Sequence, residues 1–181
     1  MGFAYRITDQ QGIYFVTATV AQWADVFTRP LYNEILLDSI RFAQEHRGLR
    51  VYAWVIMSNH FHAVLSCDEG FELSNVLRDM KKFTATQITK AIRENPTESR
   101  KSWLLWLLQK DNGIHFWQAG NHPVLVWSQK FLLQKIDYIH NNPVKAGIVR
   151  REEDYVYSSA GNFVEIPGLL QLSVYDGHFS R

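Results

Sequence analysis

Val51-Tyr52-Ala53-Trp54-Val55-Ile56-Met57-Ser58-Asn59-His60-Phe61-His62-Ala63-Val64-Leu65 is the stretch that decides the fold. Val51 to Met57 is almost wholly apolar and rich in β-formers, the pattern of a buried strand. Ser58-Asn59 is a turn pair, and Phe61 to Leu65 reads as the return strand of a hydrophobic hairpin. Side chains i and i+2 of an extended strand share a face. His60 and His62 therefore point the same way at the hairpin mouth, while Phe61 points into the core. An isolated His-x-His is a weak signal, but two imidazoles placed side by side on such a hairpin make half of a divalent-metal site.

Working outward, Gly12 to Val20 alternates with β-branched content and predicts a strand. Pro30 to Glu45 carries Leu31, Ile35, Leu36, Ile40, Phe42 and Ala43 at helical spacing, with Pro30 suited to the first turn and His46-Arg47-Gly48 to the C-terminal end. Glu72 to Arg93 predicts a long amphipathic helix with Leu73, Val76, Leu77, Met80, Phe83, Ile88 and Ile92 inward and Arg78, Lys81 and Lys82 outward. Ser102 to Lys110 reads as a short buried helix that places Trp103 and Trp106 in the core. Ile114 to Gln118 reads as a further strand. Ser128 looks like the N-cap of a helix reaching about Asn141, with Pro143 limiting its continuation. The order is a βαββαβ unit with additions: an α+β, ferredoxin-like antiparallel sheet with helices on one face and an added C-terminal tyrosine-bearing helix. The expectation is a single domain over 1–181, with a core over about 12–163 and a tail over 164–181. The residues after Gly147 are expected to pack back over the core.

The 181 residues are 46% hydrophobic and 20% charged, which supports a sizeable core and excludes a disordered chain. A net charge of +1 means that any nucleic-acid footprint must be a local patch. Six Trp, eight Tyr and eleven Phe leave room for stacking surfaces as well as core. Cys67 is the single cysteine, so no intrachain disulfide forms, as suits a reducing compartment. No stretch approaches the roughly 18 apolar residues of a membrane span, and a cytoplasmic location is expected.

The segment Ser128 to Val149, SQKFLLQKIDYIHNNPVKAGIV, holds the remaining chemistry. On a helix, residues three and four apart share a face. Gln134, Tyr138 and the pair Asn141/Asn142 therefore line one stripe, with Lys135 at its edge. A buried helix has no need of that polar run. A tyrosine held against a metal can attack a phosphodiester, and a covalent intermediate conserves bond energy for strand transfer. A hydrolase would activate water instead and would not need Tyr138. No glycine-rich phosphate loop is present to indicate a nucleotide cofactor.

The hairpin WVIMSNHFHAVLS, the segment FWQAGNHP, and QKIDYIHNNPVKAGIV followed by EDYVYSSA resemble the REP-associated tyrosine transposases. These belong to the wider class of single-tyrosine HUH (His, hydrophobic, His) transposases of bacterial insertion sequences. The resemblance runs from about Tyr14 to Phe163, with several motifs in order. It implies an enzyme that recognises a DNA hairpin and cuts single-stranded DNA beside it. The tyrosine attacks the scissile phosphate, leaving a 5′-phosphotyrosine link and a free 3′-OH. It further implies Tyr138 as nucleophile, His60 and His62 as metal ligands, and a polar third ligand one turn after the tyrosine, at Asn142, with His140 and Gln134 as rivals. The ion is expected to be Mg²⁺ or Mn²⁺, with Mn²⁺ bound more tightly because it accepts imidazole better.

For DNA contact the candidates are Lys135 and Lys130 on the tyrosine helix, Arg78, Lys81 and Lys82 on the long helix, and Trp117 and His122 as stacking residues. The expected partner is single-stranded DNA with a hairpin at repeat-element ends. Relatives within the class act as dimers or as monomers, and either a monomer or a homodimer fits. Two other readings are a catalytically silent or domesticated hairpin-DNA-binding protein and a replication-initiator-type HUH nuclease.

Overall fold

A computed structural model describes residues 7–111, 113–120 and 123–175. The elements are β1 (Tyr14–Thr19), α1 (Pro30–His46), β2 (Leu49–Ile56), β3 (His60–Cys67), α2 (Leu73–Glu94), α3 (Lys101–Leu108), β4 (Gln109–Lys110), β5 (Gly113–Ile114), β6 (Val124–Leu125) and α4 (Gln129–Lys145). The main sheet has the order β2-β3-β1-β6 and is antiparallel throughout. This is the expected ferredoxin-like arrangement.

Strand alternation splits the core between the two faces of the sheet. Tyr14 and Val16 of β1 and Phe61, Ala63 and Leu65 of β3 face α1 and α2. Phe15 of β1, Val64 of β3 and Tyr52 and Val55 of β2 face the opposite way, against Leu132, Ile136 and Ile139 of α4. Phe61 is therefore core, as expected, and His60 and His62 lie on the α4 side. At the end of α1, Gly48 holds φ +59, and a Cβ there would meet the Phe71 ring at 2.5 Å, so only glycine fits this turn.

The fourth, edge strand is in two pieces. The expected strand at 114–118 contributes only an isolated antiparallel bridge, Val20 with Trp117, supported by Gln118 N to Thr19 O and Ala21 N to Phe116 O, both 2.8 Å. Farther along β1, β6 pairs with Tyr14 and Phe15. β4 and β5 form a separate two-stranded ribbon.

Three apolar placements differ from the helical reading. Leu31, Phe42 and Phe83 are exposed, and Tyr32, Leu37 and Thr84 are buried in their stead. Thr84 meets the demand for a buried polar group by donating to Met80 O at 2.7 Å. Trp103 and Trp106, expected in the core, are 48% and 70% exposed. They stand three residues apart on the outer face of α3, while Leu104 and Leu108 make its contact with the core.

α4 is capped by Ser128, whose Oγ accepts from Phe131 N at 3.2 Å. It does not stop at Asn141. Pro143 lies inside the last turn, where it removes one intrahelical donor, and the helix continues to Lys145. The outer edge of β2 is covered by the chain after α4: Ile56 N donates to Tyr157 O, and Ser159 N to Trp54 O, both at 2.9 Å. Leu170 then returns to the α1 side of the core, and Ser173 N bonds Val51 O at 2.7 Å.

Candidate active site

β3 delivers His60 and His62 from one face, and their ring centroids are 4.7 Å apart. α4 crosses that face and delivers Tyr138, whose ring centroid lies 5.4 Å from that of His62. Phe15 of β1 forms the floor, 5.3 Å from the His62 ring and 5.7 Å from the Tyr138 ring. Tyr138 is 43% exposed, so its hydroxyl edge is accessible to a large substrate.

Each imidazole is held by a hydrogen bond at Nδ1. His60 Nδ1 lies 2.7 Å from Asn59 Oδ1. The Asn59 amide is oriented by its own nitrogen, which donates to Asp25 Oδ1 at 3.0 Å and Trp23 O at 3.3 Å. Oδ1 therefore accepts from His60, which places the proton on Nδ1 and leaves the lone pair on Nε2. His62 Nδ1 lies 2.8 Å from Thr17 Oγ1, a residue directly across the β1–β3 ladder. Burial depresses the basicity of both rings. His62 is brought down to about 3, by desolvation first and then by the positive charges of His60 and Lys135. His60 is lowered by desolvation, partly offset by hydrogen bonding with Asn142. Both imidazoles are neutral near neutral pH, the form that binds a metal.

Asn142 sits one turn beyond Tyr138. Its Nδ2 donates back to Tyr138 O at 3.1 Å, which leaves Oδ1 for the histidine side. Among the described residues no third His, Cys, Asp or Glu joins the pair. Two imidazoles and an amide oxygen are a donor set that suits Mn²⁺ and is acceptable to Mg²⁺. The two rivals are not in the cluster. His140 is 3% exposed, with Nε2 2.8 Å from Ser159 Oγ and its ring 4.8 Å from Phe163, so it ties α4 to the chain covering β2. Gln134 is exposed, and no contact links it to the histidines.

Two ammonium groups flank the tyrosine. Lys135 Nζ is 4.6 Å from the Phe15 centroid, 5.0 Å from Phe131 and 5.8 Å from Tyr138. Lys145 Nζ lies 5.9 Å from the Tyr138 ring on another side. Lys130 is exposed at the start of α4. The remaining candidates are elsewhere. Arg78, Lys81 and Lys82 belong to α2, on the far side of the sheet from the histidines. Arg78 is engaged with Asn75 and Asp79, and Lys81 with Gln118 O. Trp117 is stacked on Phe27, its Nε1 donates to Thr84 Oγ1 at 3.1 Å, and it packs on the α2 side. His122 lies outside the described residues. Thr17, Asn59 and Phe15 are site residues that the sequence reading did not single out. Adjacency to His60 pointed to Asn59, but the other two depend on strand register.

A family model described as "Transposase IS200 like" matches residues 10–142. A protein of Haemophilus influenzae named as a REP-associated tyrosine transposase is 28% identical over 148 residues, covering 82% of this chain and 79% of that protein. The solved structure of a REP-associated tyrosine transposase bound to a REP hairpin is 21% identical with a TM-score of 0.68, covering 100% of this chain and 98% of that one. At that identity the likeness establishes a shared fold.

Proposed function

The chain belongs to the IS200-like transposase family, and from that premise we propose that it is a metal-dependent single-stranded DNA endonuclease and strand transferase acting beside DNA hairpins. The observation that carries this reading is the placement of Tyr138 beside the His60–His62 pair, its ring centroid 5.4 Å from that of His62. Tyr138 Oη attacks the scissile phosphorus, the 3′-oxygen leaves, and a 5′-phosphotyrosine link forms. Attack by a 3′-OH on that link reverses the step and joins strands, so no nucleotide cofactor is consumed.

A phenol ionises near a pKa of about 10 in water, so the site must favour negative charge where it develops. Lys135 and Lys145 supply that positive field around the Tyr138 ring. Phe15 and the β3 face limit water on one side of the reacting groups. The residues that would hold Mg²⁺ or Mn²⁺ are His60, His62 and Asn142, and such an ion, when bound, supplies Lewis-acid charge to the phosphate oxygens. Tyrosine and histidines come from one chain, which supports a centre complete in a monomer. The named hairpin ligand of the structural neighbour supports a hairpin repeat as the recognition element here.

The test is cleavage of a labelled single strand carrying the hairpin repeats that flank the gene, with Mn²⁺, with EDTA and with Tyr138→Phe. A covalent protein–DNA band that needs Mn²⁺ and disappears in Tyr138→Phe is expected. Binding without any adduct under all metals would favour a DNA-binding descendant and defeat the cleavage reading.

A further inference from the structure

We propose that Trp23 is a base-stacking platform: its indole receives the base of a nucleotide adjoining the scissile phosphate, on the His60 side of the centre. The inference rests on the reading of that centre as a DNA-cleaving site.

Residues 20–27 leave β1 and pass beside the mouth of the histidine hairpin. Their anchor points are firmly held. Val20 and Val26 are fully buried and Ala24 is 2% exposed. Val20 N donates to Asn59 O and Phe27 N to Ser58 O, both at 2.8 Å. Between these anchors Gln22 and Trp23 have φ of 54° and 55°, two consecutive L residues in the left-handed region. That conformation is unfavourable for both, and it persists because the surrounding bonds fix it. Its outcome is an indole turned outward. Trp23 is 60% exposed, although it is among the largest apolar side chains and the apolar Val20, Ala24, Val26 and Phe27 of the same segment are buried.

The position of this ring is specific. It stands edge-on to His60, with centroids 6.1 Å apart at 75°. Its carbonyl accepts from Asn59 Nδ2, the same amide that holds His60 Nδ1. The platform and the ligand are thus mounted on one side chain, and a shift in either moves the other. Along β1 the groups follow in order: Lys135 over Phe15, then Tyr138 beside His62, then His60, then Trp23. A strand whose phosphate lies at Tyr138 and the histidines places an adjoining nucleotide at the Trp23 end. Every base offers a π face, so such a platform accepts an unpaired base of any identity. α3 packs beside Ala21–Trp23 and presents exposed Trp103 and Trp106 on its outer face, so this flank is rich in accessible rings.

The test uses Tyr138→Phe protein, so that binding is read without chemistry. The probe is a hairpin oligonucleotide from the DNA flanking the gene, with single-stranded extensions on both sides, and a series carrying one abasic site at each extension position. Binding is followed by fluorescence anisotropy. Trp23→Ala is expected to weaken binding of the intact probe by about 5- to 150-fold, the range for loss of one base–aromatic stack. At one extension position an abasic site should weaken the Trp23 protein by a similar factor and leave Trp23→Ala unaffected. Trp23→Phe should retain most of the affinity, which separates loss of the ring from damage to the segment. The inference is overturned if Trp23→Ala binds the intact probe as well as its parent does. It is also overturned if the variant is weakened by one constant factor on intact and abasic probes alike, or if neither protein binds. Adduct formation with Tyr138 restored reports on cleavage separately. Trp23-dependent binding without an adduct would sink the cleavage reading and leave the platform, and an adduct without the abasic signature would do the reverse.

Discussion

Acid should destabilise this protein through its buried histidines, and His140 is where that is best measured. His140 is 3% exposed, bonded through Nε2 to Ser159 Oγ, and burial brings it from 6.5 to about 4 despite the opposing pull of Asp137. The folded value is below the unfolded one, so the stabilising contribution is fully present above about pH 6.5 and is lost as pH falls toward 4. Between pH 7 and pH 5 the linkage relation gives a loss of about 2 kcal/mol from this one group. His62, brought to about 3, contributes a further loss of about 2 kcal/mol over the same interval in metal-free protein. His140→Gln keeps a polar group against Ser159 and removes the titration. Urea unfolding at pH 7, 6 and 5, without metal, should show wild type losing about 2 kcal/mol more than the variant between pH 7 and pH 5. The variant should bind Mn²⁺ as the wild type does, because His140 points away from the pair. Equal pH slopes in the two proteins would refute the burial argument, and loss of Mn²⁺ binding in His140→Gln would return that residue to the ligand set.

The Nδ1 partners of His60 and His62 should matter to Mn²⁺ binding nearly as much as the two imidazoles themselves. Thr17→Val removes the hydroxyl from His62 at constant shape and is expected to weaken Mn²⁺ binding by about 10- to 100-fold, with Thr17→Ser restoring it; Mn²⁺ titration calorimetry decides, and an unchanged affinity would show that the ring needs no such tether. Glu98 is a separate stability element: its side chain is inaccessible, it accepts from Arg29, Arg100 and Tyr32, and Arg100 first of all holds it at about 2. Glu98→Gln should cost about 3 kcal/mol at neutral pH, measured by urea unfolding. Because the folded value lies below the unfolded 4.5, that difference should vanish as pH falls from about 4.5 toward 2, and a gap persisting at acid pH would contradict the assignment.

The hairpin Val51 to Leu65 was legible because its apolar content and period left a single register for Phe61 inside and the histidines outside. The tyrosine stripe was legible for the same kind of reason, a polar run on a helix that otherwise packs. What local pattern does not encode is which distant residue a fixed register sets opposite. Thr17 reads as an ordinary β-branched residue of β1 until pairing with β3 places it across from His62. Periodicity also misjudged the aromatics. Phe83, Trp103 and Trp106 have the residue type of core, but each falls on the outer arc of its helix, and Thr84 takes the inward place because Met80 O and Trp117 Nε1 satisfy its hydroxyl. The fourth strand was misplaced because edge pieces of two or three residues are too short for any period to register.

Pro143 shows how one backbone exception reaches the chemistry. Read alone, proline ends the helix near Asn141, and on that reading Asn142 and Lys145 have no fixed relation to Tyr138. Proline so near a helix end removes only one donor, and the bonds from Ala146 N to Asn142 O at 3.0 Å and from Ile148 N to Pro143 O at 2.9 Å close the final turn. The extra turn brings the Asn142 amide back onto Tyr138 O, in hydrogen-bonding contact with His60, and carries Lys145 to 5.9 Å from the Tyr138 ring. His140, between these two residues, takes the opposite arc of the helix and anchors it through Ser159 to the chain that covers the edge of β2. The stripe that faces the histidines and the arc that fixes α4 to the fold are therefore set by the same helical phase. A slip of one residue in that phase would unseat the anchor and the centre together.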